Sequence, residues 1–433
     1  MQPSAPPLPA AAPRRVPPAI FFLILMIPFG ASGGYLIVNL EYQLASHGLS
    51  TAAIAGVVAV SYIPHTWRFL WAPLVDTVWT RKRWYVAGTL LCGLGLWQAG
   101  RITGEATPSL VMLGAMQLVY NVGATLLAMA VESLMAAIVP DDQRGRTSGW
   151  FQAGNLGGQG IGGGLSLWLV QAQGWSVGDS GAALAFIFAL CSVPIFLLPD
   201  PKPVVIVGDR VAESTHLGVA ATLKAIASDL WRLVRSRAGA LALVICFLPI
   251  GSGAAQNLWA AIAGDWHASA GVVALVNGAM GGVISAIGCV AGGWICDRVD
   301  RKTTYCAFGA ALAACAVAMA ISARTPAQFV VWTSVYAFIL GLSYTAFSAV
   351  VFEAIGRTAA ATKYSLLAAL SNMPIQYMTL VDGYANDGWG TRGLLYADAG
   401  CGALGIAVFL VLAGVTKRAK VASLAAGEGA AAS

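Results

Sequence analysis

Long apolar segments recur along the whole chain and are separated from one another by short polar stretches. Each is about as long as a helix must be to cross the hydrocarbon core of a membrane, which takes about 20 residues. Six of them precede a longer polar stretch at 200–237, and six follow it. The pattern predicts an all-α integral membrane protein with twelve transmembrane helices in a 6+6 arrangement. The predicted helices are 18–40, 50–73, 84–102, 108–136, 146–170, 181–199, 238–262, 270–295, 303–323, 327–352, 364–383 and 392–415.

The segments outside the helices define the predicted domain organisation. Proline and alanine dominate the first residues, which predicts a disordered cytoplasmic leader. In the polar stretch after the sixth helix, apolar residues alternate with Lys224, Asp229 and Arg232 at helical spacing. This pattern is typical either of an amphipathic helix on the inner membrane surface or of a solvated linker helix. The predicted units are a leader at 1–17, an N-terminal six-helix bundle at 18–199, a cytoplasmic linker at 200–237, a C-terminal six-helix bundle at 238–416 and a cytoplasmic tail at 417–433.

Composition narrows the class of protein further. Hydrophobic residues make up 58% of the 433 residues and charged residues 10%, whereas soluble domains contain about 45–50% and about 25%. So few charged side chains cannot cover a soluble protein of this size, which excludes cytosolic enzymes, nucleic-acid-binding proteins and secreted disulfide scaffolds. The 8 cysteines show no Cys-x-x-Cys or Cys/His metal spacing, so we expect no metal and no cofactor.

The basic residues predict the orientation in the membrane. With both termini on the cytoplasmic side, 21 of the 25 lysines and arginines fall in cytoplasmic segments. The cytoplasmic loops of membrane proteins carry such an excess of positive charge. We therefore expect a multi-pass protein of the inner (cytoplasmic) membrane with both termini in the cytoplasm. The exceptions are Arg68, Arg101, Arg324 and Arg392.

The two halves of the chain repeat at a constant offset. After the eighth predicted helix, the sequence Gly293-Trp-Ile-Cys-Asp297-Arg298-Val-Asp-Arg301-Lys302 resembles the signature loop of the major facilitator superfamily. The resemblance implies the pseudo-symmetric fold of that superfamily, with a substrate site between the halves near the middle of the membrane. The landmark residues that lie 221 positions apart are Pro28 and Pro249, Asp76 and Asp297, and Glu132 and Glu353.

An aspartate followed by basic residues stands at the cytoplasmic end of the second predicted helix and again at that of the eighth. Such an aspartate can accept from the first backbone N–H groups of a facing helix, and the arginines can pair with acids at the inner ends of neighbouring helices. We interpret the set as a latch that holds the cytoplasmic side closed; the alternative is that these charges only set the topology. The latch candidates are Asp76, Arg81, Asp297, Arg298 and Arg301.

The first half carries a more specific resemblance. The segment Arg68-Phe-Leu-Trp-Ala-Pro-Leu-Val-Asp76 and the stretch from Glu132 to Arg144 resemble the AmpG-type muropeptide permeases and the related acetyl-coenzyme A transporters. The resemblance covers mainly residues 20–170. It implies proton-driven import, across an inner membrane, of a large amphiphilic molecule that bears carboxylate or phosphate groups.

Ionisable side chains inside a membrane are costly and usually functional. Arg68, with His65 three residues before it, can present positive charge to an anionic substrate. Alternatively, Arg68 reaches the inner interface and His65 binds a neighbouring carbonyl group. Glu132 and its repeat equivalent Glu353 are the proton-coupling candidates, and Arg68 or Arg144 is the expected partner of Glu132. The alternative for both glutamates is an ion pair within the latch.

Uncharged polar residues on the helices that line the cavity in this fold are candidates for substrate binding, although hydrogen bonding between helices is the commoner role. Three acids near the outer ends of their helices, Glu41, Asp382 and Asp398, line an outer vestibule or simply face water. The substrate-binding candidates are Tyr35, Asn39, His65, Arg68, Asn155, Gln159, Asn257, Asn372 and Gln376.

The fifth predicted helix contains a glycine pattern that matches a dinucleotide-binding motif, but no strand precedes it. Gly154, Gly158 and Gly162 lie on one face of this helix and predict close packing against a neighbouring helix.

These observations together predict a secondary active transporter that works by alternating access and imports an amphiphilic or anionic solute, such as a muropeptide-like compound, with protons. The alternatives within transporters are a siderophore importer or a multidrug exporter. The alternative from another class is a transport-inactive membrane receptor or assembly partner. We expect a monomer that contacts a small-molecule substrate, protons and the lipid bilayer, binds no nucleic acid and has no enzymatic activity.

Overall fold

The computed structural model describes residues 17–71, 75, 79–139, 141–200, 204–207, 210–213, 228, 231, 235, 243–296, 298–355, 366–367 and 369–431. The described chain is almost entirely helical, as predicted. We call residues 17–200 the N-half and residues 243–431 the C-half. The N-half contains α1 (Ile20–Ser46), α2 (Thr51–Trp67), α3 (Arg81–Thr103), α4 (Leu110–Ile138), α5 (Asp141–Gly160) and α6 (Val177–Leu197).

Hydroxyl side chains explain where several of these helices begin. The first backbone N–H groups of a helix have no partner within it, and an N-cap hydroxyl can accept from one of them. Ser50 accepts from Ala53 N at the start of α2. Equivalent bonds are made by Thr80 at α3, Ser109 at α4 and Ser176 at α6.

Two helices of the N-half continue through π-helical turns, which contain more residues per turn than an α-helix. A π-helical stretch, Tyr35–Leu40, lies inside α1. A second one, Ile161–Leu165, extends α5 into a further helical segment, Ser166–Gln173. Such stretches occur often at functional sites.

The second helix ends earlier than predicted. It was expected to reach residue 73, but α2 ends at Trp67 and a short 3₁₀ turn, Arg68–Leu70, follows it. In the sequence Pro73 follows three residues beyond this turn, and a proline disfavours the helical conformation in the residue before it. Arg68 therefore lies in a turn at the end of α2 instead of inside a long helix.

The linker begins with a β-hairpin that the sequence did not predict. Strands β1 (Val204–Val207) and β2 (Arg210–Glu213) pair antiparallel, with Val204 opposite Glu213. Most of the predicted amphipathic helix lies outside the described residues. Of the linker residues beyond the hairpin, Trp231 is exposed, and the Arg235 guanidinium lies 4.9 Å from the centre of its ring.

The seventh helix was predicted as one continuous element at 238–262, and this prediction is wrong. Gly251 (φ 61°) and Gly253 (φ 71°) adopt left-handed backbone conformations that break the helix. Glycine tolerates such angles because it has no Cβ, and Pro249 just before them lacks a backbone N–H. The chain then continues through three short helical segments at 254–266, which we call α7. These are Ala254–Leu258, Trp259–Ile262 and Ala263–Trp266.

The remaining helices of the C-half are α8 (Ala270–Cys296), α9 (Arg301–Ile321) and α10 (Pro326–Ile355), followed by a helix at Asn372–Ala431. Gly390 (φ 68°, ψ −175°) interrupts this last helix, so we call its parts α11 (372–389) and α12 (391–431). The sequence predicted two helices here, the first ending at residue 383. Asp300 caps α9: the backbone N–H and hydroxyl of Thr303 donate to its carboxylate and hold the pKa of Asp300 below its usual range.

Seven segments of the described chain are long and apolar enough to cross a membrane. One of them spans 372–412 and contains the interruption at Gly390. Large apolar side chains on the outer surface, such as Val111 (87% exposed) and Phe186 (66% exposed), would face lipid. The chain is therefore a multi-pass membrane protein, while the total of twelve helices stays a prediction.

The glycine face of α5 packs directly on α1, as predicted. A Cβ atom at Gly154 or Gly162 would collide with the backbone of Leu23 or Ala31. The contact is reciprocal, because Gly30 of α1 lies against the backbone carbonyl of Asn155. The two backbones approach closely only because these positions have no side chain.

Candidate functional site

The charged centre of the site lies where α2 ends. The Arg68 Nη1 atom lies 3.3 Å from Glu132 Oε1 of α4. The side chains are 21% and 39% exposed, respectively. The structure thus pairs Glu132 with Arg68, one of the two partners that the sequence suggested for it, and neither side chain is fully buried. We call the end of the molecule near Arg68, where Arg81 and Arg301 begin their helices, the basic end; the opposite end is the far end.

His65 lies one turn before Arg68 and bonds to α4. Its Nε2 atom lies 3.0 Å from Asn121 Oδ1. Asn121 Nδ2 donates to the Gln117 carbonyl oxygen at 2.9 Å, so Asn121 Oδ1 is the atom left to accept and His65 Nε2 is the donor. The Phe29 ring contacts the imidazole edge-on at a centroid distance of 5.5 Å. His65 therefore has a defined partner, which matches the second of its two predicted roles.

Hydrogen bonds between the halves are found toward the far end. Asn386 Nδ2 donates to Thr51 Oγ1 at 2.7 Å, and Ala52 N donates to Asp387 Oδ1 at 3.1 Å. These bonds hold the end of α11 against the start of α2. Asp387 thereby accepts from one of the unpaired N–H groups at that helix start. We call this set of contacts the far-end closure.

A second group of cross-half bonds lies deeper, toward the middle of α2. Tyr62 Oη donates to Asn257 Oδ1 at 3.0 Å, and Asn257 Nδ2 donates to Thr379 Oγ1 at 3.0 Å. Asn257 thus connects α2 of the N-half to α7 and α11 of the C-half. Its two polar atoms are both engaged in this conformation, so the structure places this candidate between the halves as a bridge.

Glu41 makes a further contact between the halves. Its Oε1 atom accepts from the backbone N–H of Ala261 at 3.1 Å, across 220 positions of sequence. The Glu41 side chain is fully buried. The expectation that this acid faces water or an outer vestibule is therefore wrong for this conformation, because α7 packs over it. It is also wrong for Asp382 and Asp398, which are buried.

Two of the predicted substrate-binding residues lie inside the N-half. Tyr35 is fully buried, and its hydroxyl donates to the Val177 carbonyl oxygen at 2.8 Å. Asn39 is also fully buried, and its Nδ2 atom donates to Ser180 Oγ at 3.2 Å. Both join α1 to α6, so they reach no space between the halves in this conformation. These bonds correspond to the commoner role of such residues, which is hydrogen bonding between helices.

The other candidates on α5 and α11 occupy half-buried positions. Asn155 Nδ2 donates to Gln152 Oε1 at 3.4 Å, and the Gln159 backbone packs against Gly34. Asn372 lines a cavity in the C-half that also contains Tyr305 and Tyr344. Gln376, one turn further along α11, is half-buried.

The proposed latch is described only in part. Asp76, Asp297 and the side chains of Glu353 and Arg144 lie outside the described residues. Arg81 is buried; its Nη1 atom lies 3.4 Å from Asp200 Oδ1, and its Nε atom donates to Ser133 Oγ at 2.8 Å. This contact lies within the N-half, where Asp200 follows the end of α6 at Leu197, and the latch between the halves stays a prediction.

The arginines after α8 have different surroundings. Arg298 donates to the Trp294 carbonyl oxygen at 2.9 Å and its guanidinium lies 4.0 Å from the centre of that ring. Arg301 begins α9 and is half-buried.

Several residues of the site were missed from the sequence. Asn121 and Thr379 are uncharged, lie in apolar helices and carry no motif, so only their contacts with His65 and Asn257 reveal them. Tyr62 precedes His65 by three residues, and this spacing on one helix face was an available signal. No group of three or more His, Cys, Asp or Glu side chains in the described ranges could hold a metal ion.

The chain is similar in sequence to known transporters. The chain is similar to the anhydromuropeptide permease of Escherichia coli (strain K12), with 24% identity over 357 residues that cover 79% of this chain and 69% of that protein. The anhydromuropeptide permease of Escherichia coli O157:H7 matches to the same extent.

Solved transporter structures share the fold. A D-xylose-proton symporter aligns with a TM-score of 0.70 at 13% identity, covering 91% of this chain and 96% of that one. The nucleoside transporter NupG aligns with a TM-score of 0.68 at 12% identity, covering 91% and 98%. At these identities the likeness concerns the fold alone.

The family description "Major Facilitator Superfamily" matches residues 19–375 of the chain. This match includes the helices that supply the Arg68–Glu132 pair and the residues of the Tyr62–Asn257 and Glu41–Ala261 bonds between the halves. The chain therefore belongs to the Major Facilitator Superfamily and is a membrane transporter, not an enzyme.

Proposed function

We propose that this transporter imports an amphiphilic, anionic solute of the muropeptide class by proton-coupled alternating access. The observation that carries this proposal is the Arg68–Glu132 ion pair, which is partly exposed at the basic end. The resemblance to anhydromuropeptide permeases supports the substrate class. With the predicted topology, the basic end faces the cytoplasm and the far end faces the periplasm.

The chemistry of the pair allows a solute and a proton to bind at the same site. An arginine guanidinium binds carboxylate and phosphate groups through paired hydrogen bonds. An anionic group of the solute can therefore replace Glu132 as the partner of Arg68. Glu132, released from Arg68, is the group that we propose takes up the coupled proton. One site would thus bind the solute and the proton together.

Apolar side chains near the pair suit the rest of an amphiphilic solute. Trp67 is 39% exposed and Leu70 is 48% exposed, on either side of Arg68 in the chain. Exposed aromatic and aliphatic groups beside a cation provide both kinds of contact that an amphiphile requires.

We further propose that the N-half and the C-half move as the two units of alternating access, and that Asp76, Asp297, Arg298 and Arg301 act with Arg81 as a cytoplasmic latch. In this view the described conformation has its far end closed, and the latch would form when the basic end closes. Replacing Asp297 by Asn should then favour the conformation that is open at the basic end. Cysteine probes at that end would report it as increased accessibility.

The substrate proposal is tested by uptake of a radiolabelled anhydromuropeptide into proteoliposomes. We expect an inward proton gradient to drive accumulation by the unmodified protein. Arg68→Gln should abolish uptake, because the solute loses its cationic partner. Glu132→Gln should still bind the solute but lose the accumulation that the gradient drives.

Arg101→Gln is the matched control, because Arg101 is an exposed arginine near the far end that stacks on Trp97. It should transport as the unmodified protein does. Uptake that is unaffected by Arg68→Gln, or accumulation that ignores the proton gradient, would contradict the proposal.

A further inference from the structure

Glu41 combines three properties that no other described acid is shown to share. It lies in α1 of the N-half, it bonds across the interface to Ala261 of the C-half, and it is fully buried. Its second carboxyl oxygen, Oε2, is buried without a hydrogen-bond partner among the described residues. No described cation forms an ion pair with it.

The surroundings of this carboxyl group are apolar. The segment Trp259–Ile262 packs against the end of α1 that carries Glu41, and its Trp259, Ala260 and Ile262 side chains are buried. This segment supplies no titratable side chain. From α2, the Tyr62 phenol is near enough to interact electrostatically with Glu41, but its hydroxyl donates to Asn257.

A carboxylate in such a place is stabilised only weakly if it is ionised. Burial removes the water that solvates the charge, and one backbone N–H donor does not replace that water. The neutral acid can occupy the same site at a much lower cost in free energy. Oε1 then accepts from Ala261 N, and Oε2 carries the proton. When the halves separate at the far end, the bond to Ala261 is lost and water reaches the group, which then favours the ionised form.

We propose that Glu41 is a proton-binding site that controls the far-end closure: the halves close over the neutral acid and separate over the carboxylate. This inference rests on the alternating access of the proposed function and adds a second, distinct role for protons. The proton on Glu41 enters and leaves from the same side, because the group is accessible only when the far end is open. Glu41 therefore sets the balance between the two conformations, whereas Glu132 sets the coupling to the solute.

The test measures the closure directly, without solute and without a gradient. Spin labels are attached at Ala106→Cys in the N-half and Gly388→Cys in the C-half, both exposed near the far end, in a chain whose own cysteines have been replaced. Distances between the labels are measured in lipid nanodiscs over a range of pH. Because one proton is involved, the ratio of closed to open molecules should fall by up to tenfold for each unit of rising pH.

Glu41→Gln carries a neutral side chain of the same shape that can still accept from Ala261. It should keep the far end closed at every pH, so that the pH dependence is lost. Glu105→Gln is the matched control, because Glu105 is an exposed glutamate in the loop between α3 and α4. That variant should titrate as the unmodified protein does.

A pH dependence that survives in Glu41→Gln, or its absence from the unmodified protein, would overturn the proposal. If Glu41→Gln does not fold, Glu41→Asp retains an ionisable group on a shorter side chain and should move the pH midpoint. An unchanged midpoint in that variant would equally overturn it. These outcomes are independent of solute identity, so a failure of muropeptide uptake remains distinguishable from a failure here.

Discussion

At the scale of single residues, the candidate site contains charged side chains and uncharged side chains that hold neighbouring helices together. Arg68 and Glu132 form a partly exposed ion pair, at which we propose that the solute binds. His65 was expected either to add a titratable positive charge or to bind a neighbouring carbonyl group. Its bond to the buried side chain of Asn121 fits the second role, in which the imidazole holds α2 against α4 beside the charged pair.

This role makes a prediction at His65. His65→Gln retains a side-chain N–H that can reach Asn121, so uptake and stability should change little. His65→Leu leaves Asn121 Oδ1 buried without a donor, which should lower the free energy of unfolding by about 1–3 kcal/mol. Thermal unfolding in detergent and the KM of uptake measure the two effects. If His65→Gln lost solute affinity as completely as Arg68→Gln, a charged role for His65 would be indicated instead.

At the scale of elements, the contact between α1 and α5 shows how glycines in the sequence determine the packing of two helices. Glycines from both helices allow the backbones to touch, as Gly30 does at Asn155 and Gly162 does at Ala31. The contact also fixes the path of α1, the helix that carries Glu41 to the interface.

Gly162→Ala should therefore destabilise the protein. The added methyl group would meet the Ala31 backbone, which cannot move as a side chain can, and overpacking of this kind costs about 1–3 kcal/mol. Gly157→Ala is the matched control on the same helix, because a Cβ atom there meets nothing within 4 Å. Thermal unfolding of the two variants in the same detergent should show a lower midpoint for Gly162→Ala alone, and equal midpoints would contradict the packing argument.

A difference of one residue between the two repeats corresponds to a continuous helix in the first half and an interrupted one in the second. Pro28 and Pro249 are equivalent in the internal repeat, yet α1 continues through Pro28 whereas the chain breaks after Pro249. The equivalent of Gly253 in the first half is Ser32, which lies inside the helix. Serine does not readily adopt the left-handed conformation that Gly253 shows. Ala261 lies near the start of the later short segment Trp259–Ile262, and its backbone N–H bonds with Glu41.

At the scale of the whole molecule, the described conformation is held by contacts at the far end. Thr51 and Asn386 lie on opposite halves and bond directly. If the halves must separate there during each cycle, a covalent bond at this point should stop transport.

Thr51→Cys and Asn386→Cys, combined in a chain without its own cysteines, should form a disulfide under oxidation and lose nearly all uptake. Reduction should restore it. Each single variant, oxidised in the same way, serves as the control and should remain active. Full uptake by the cross-linked protein would show that the far end does not open during transport.

Much of this protein was predictable from its sequence, because the governing interactions are local. Apolar segments of membrane length determined the class of protein, and the spacing of Gly154, Gly158 and Gly162 identified a packing face. The membership in its superfamily followed from a short signature and a repeat. Arg68 and Glu132 were identified by the cost of placing charge in a membrane, although their pairing was only one of the expected arrangements.

The tertiary structure alone decided which polar groups contact solvent, which form hydrogen bonds between the halves and which are fully buried. Burial depends on segments that are far apart in the chain, as Glu41 and Ala261 are at 220 positions, and no local pattern encodes that approach. For this reason only the structure shows that, in this conformation, Tyr35 and Asn39 bond within the N-half and Asn257 connects the two halves. Glu41, an acid expected to be near water, proved to be enclosed by the opposite half of the protein.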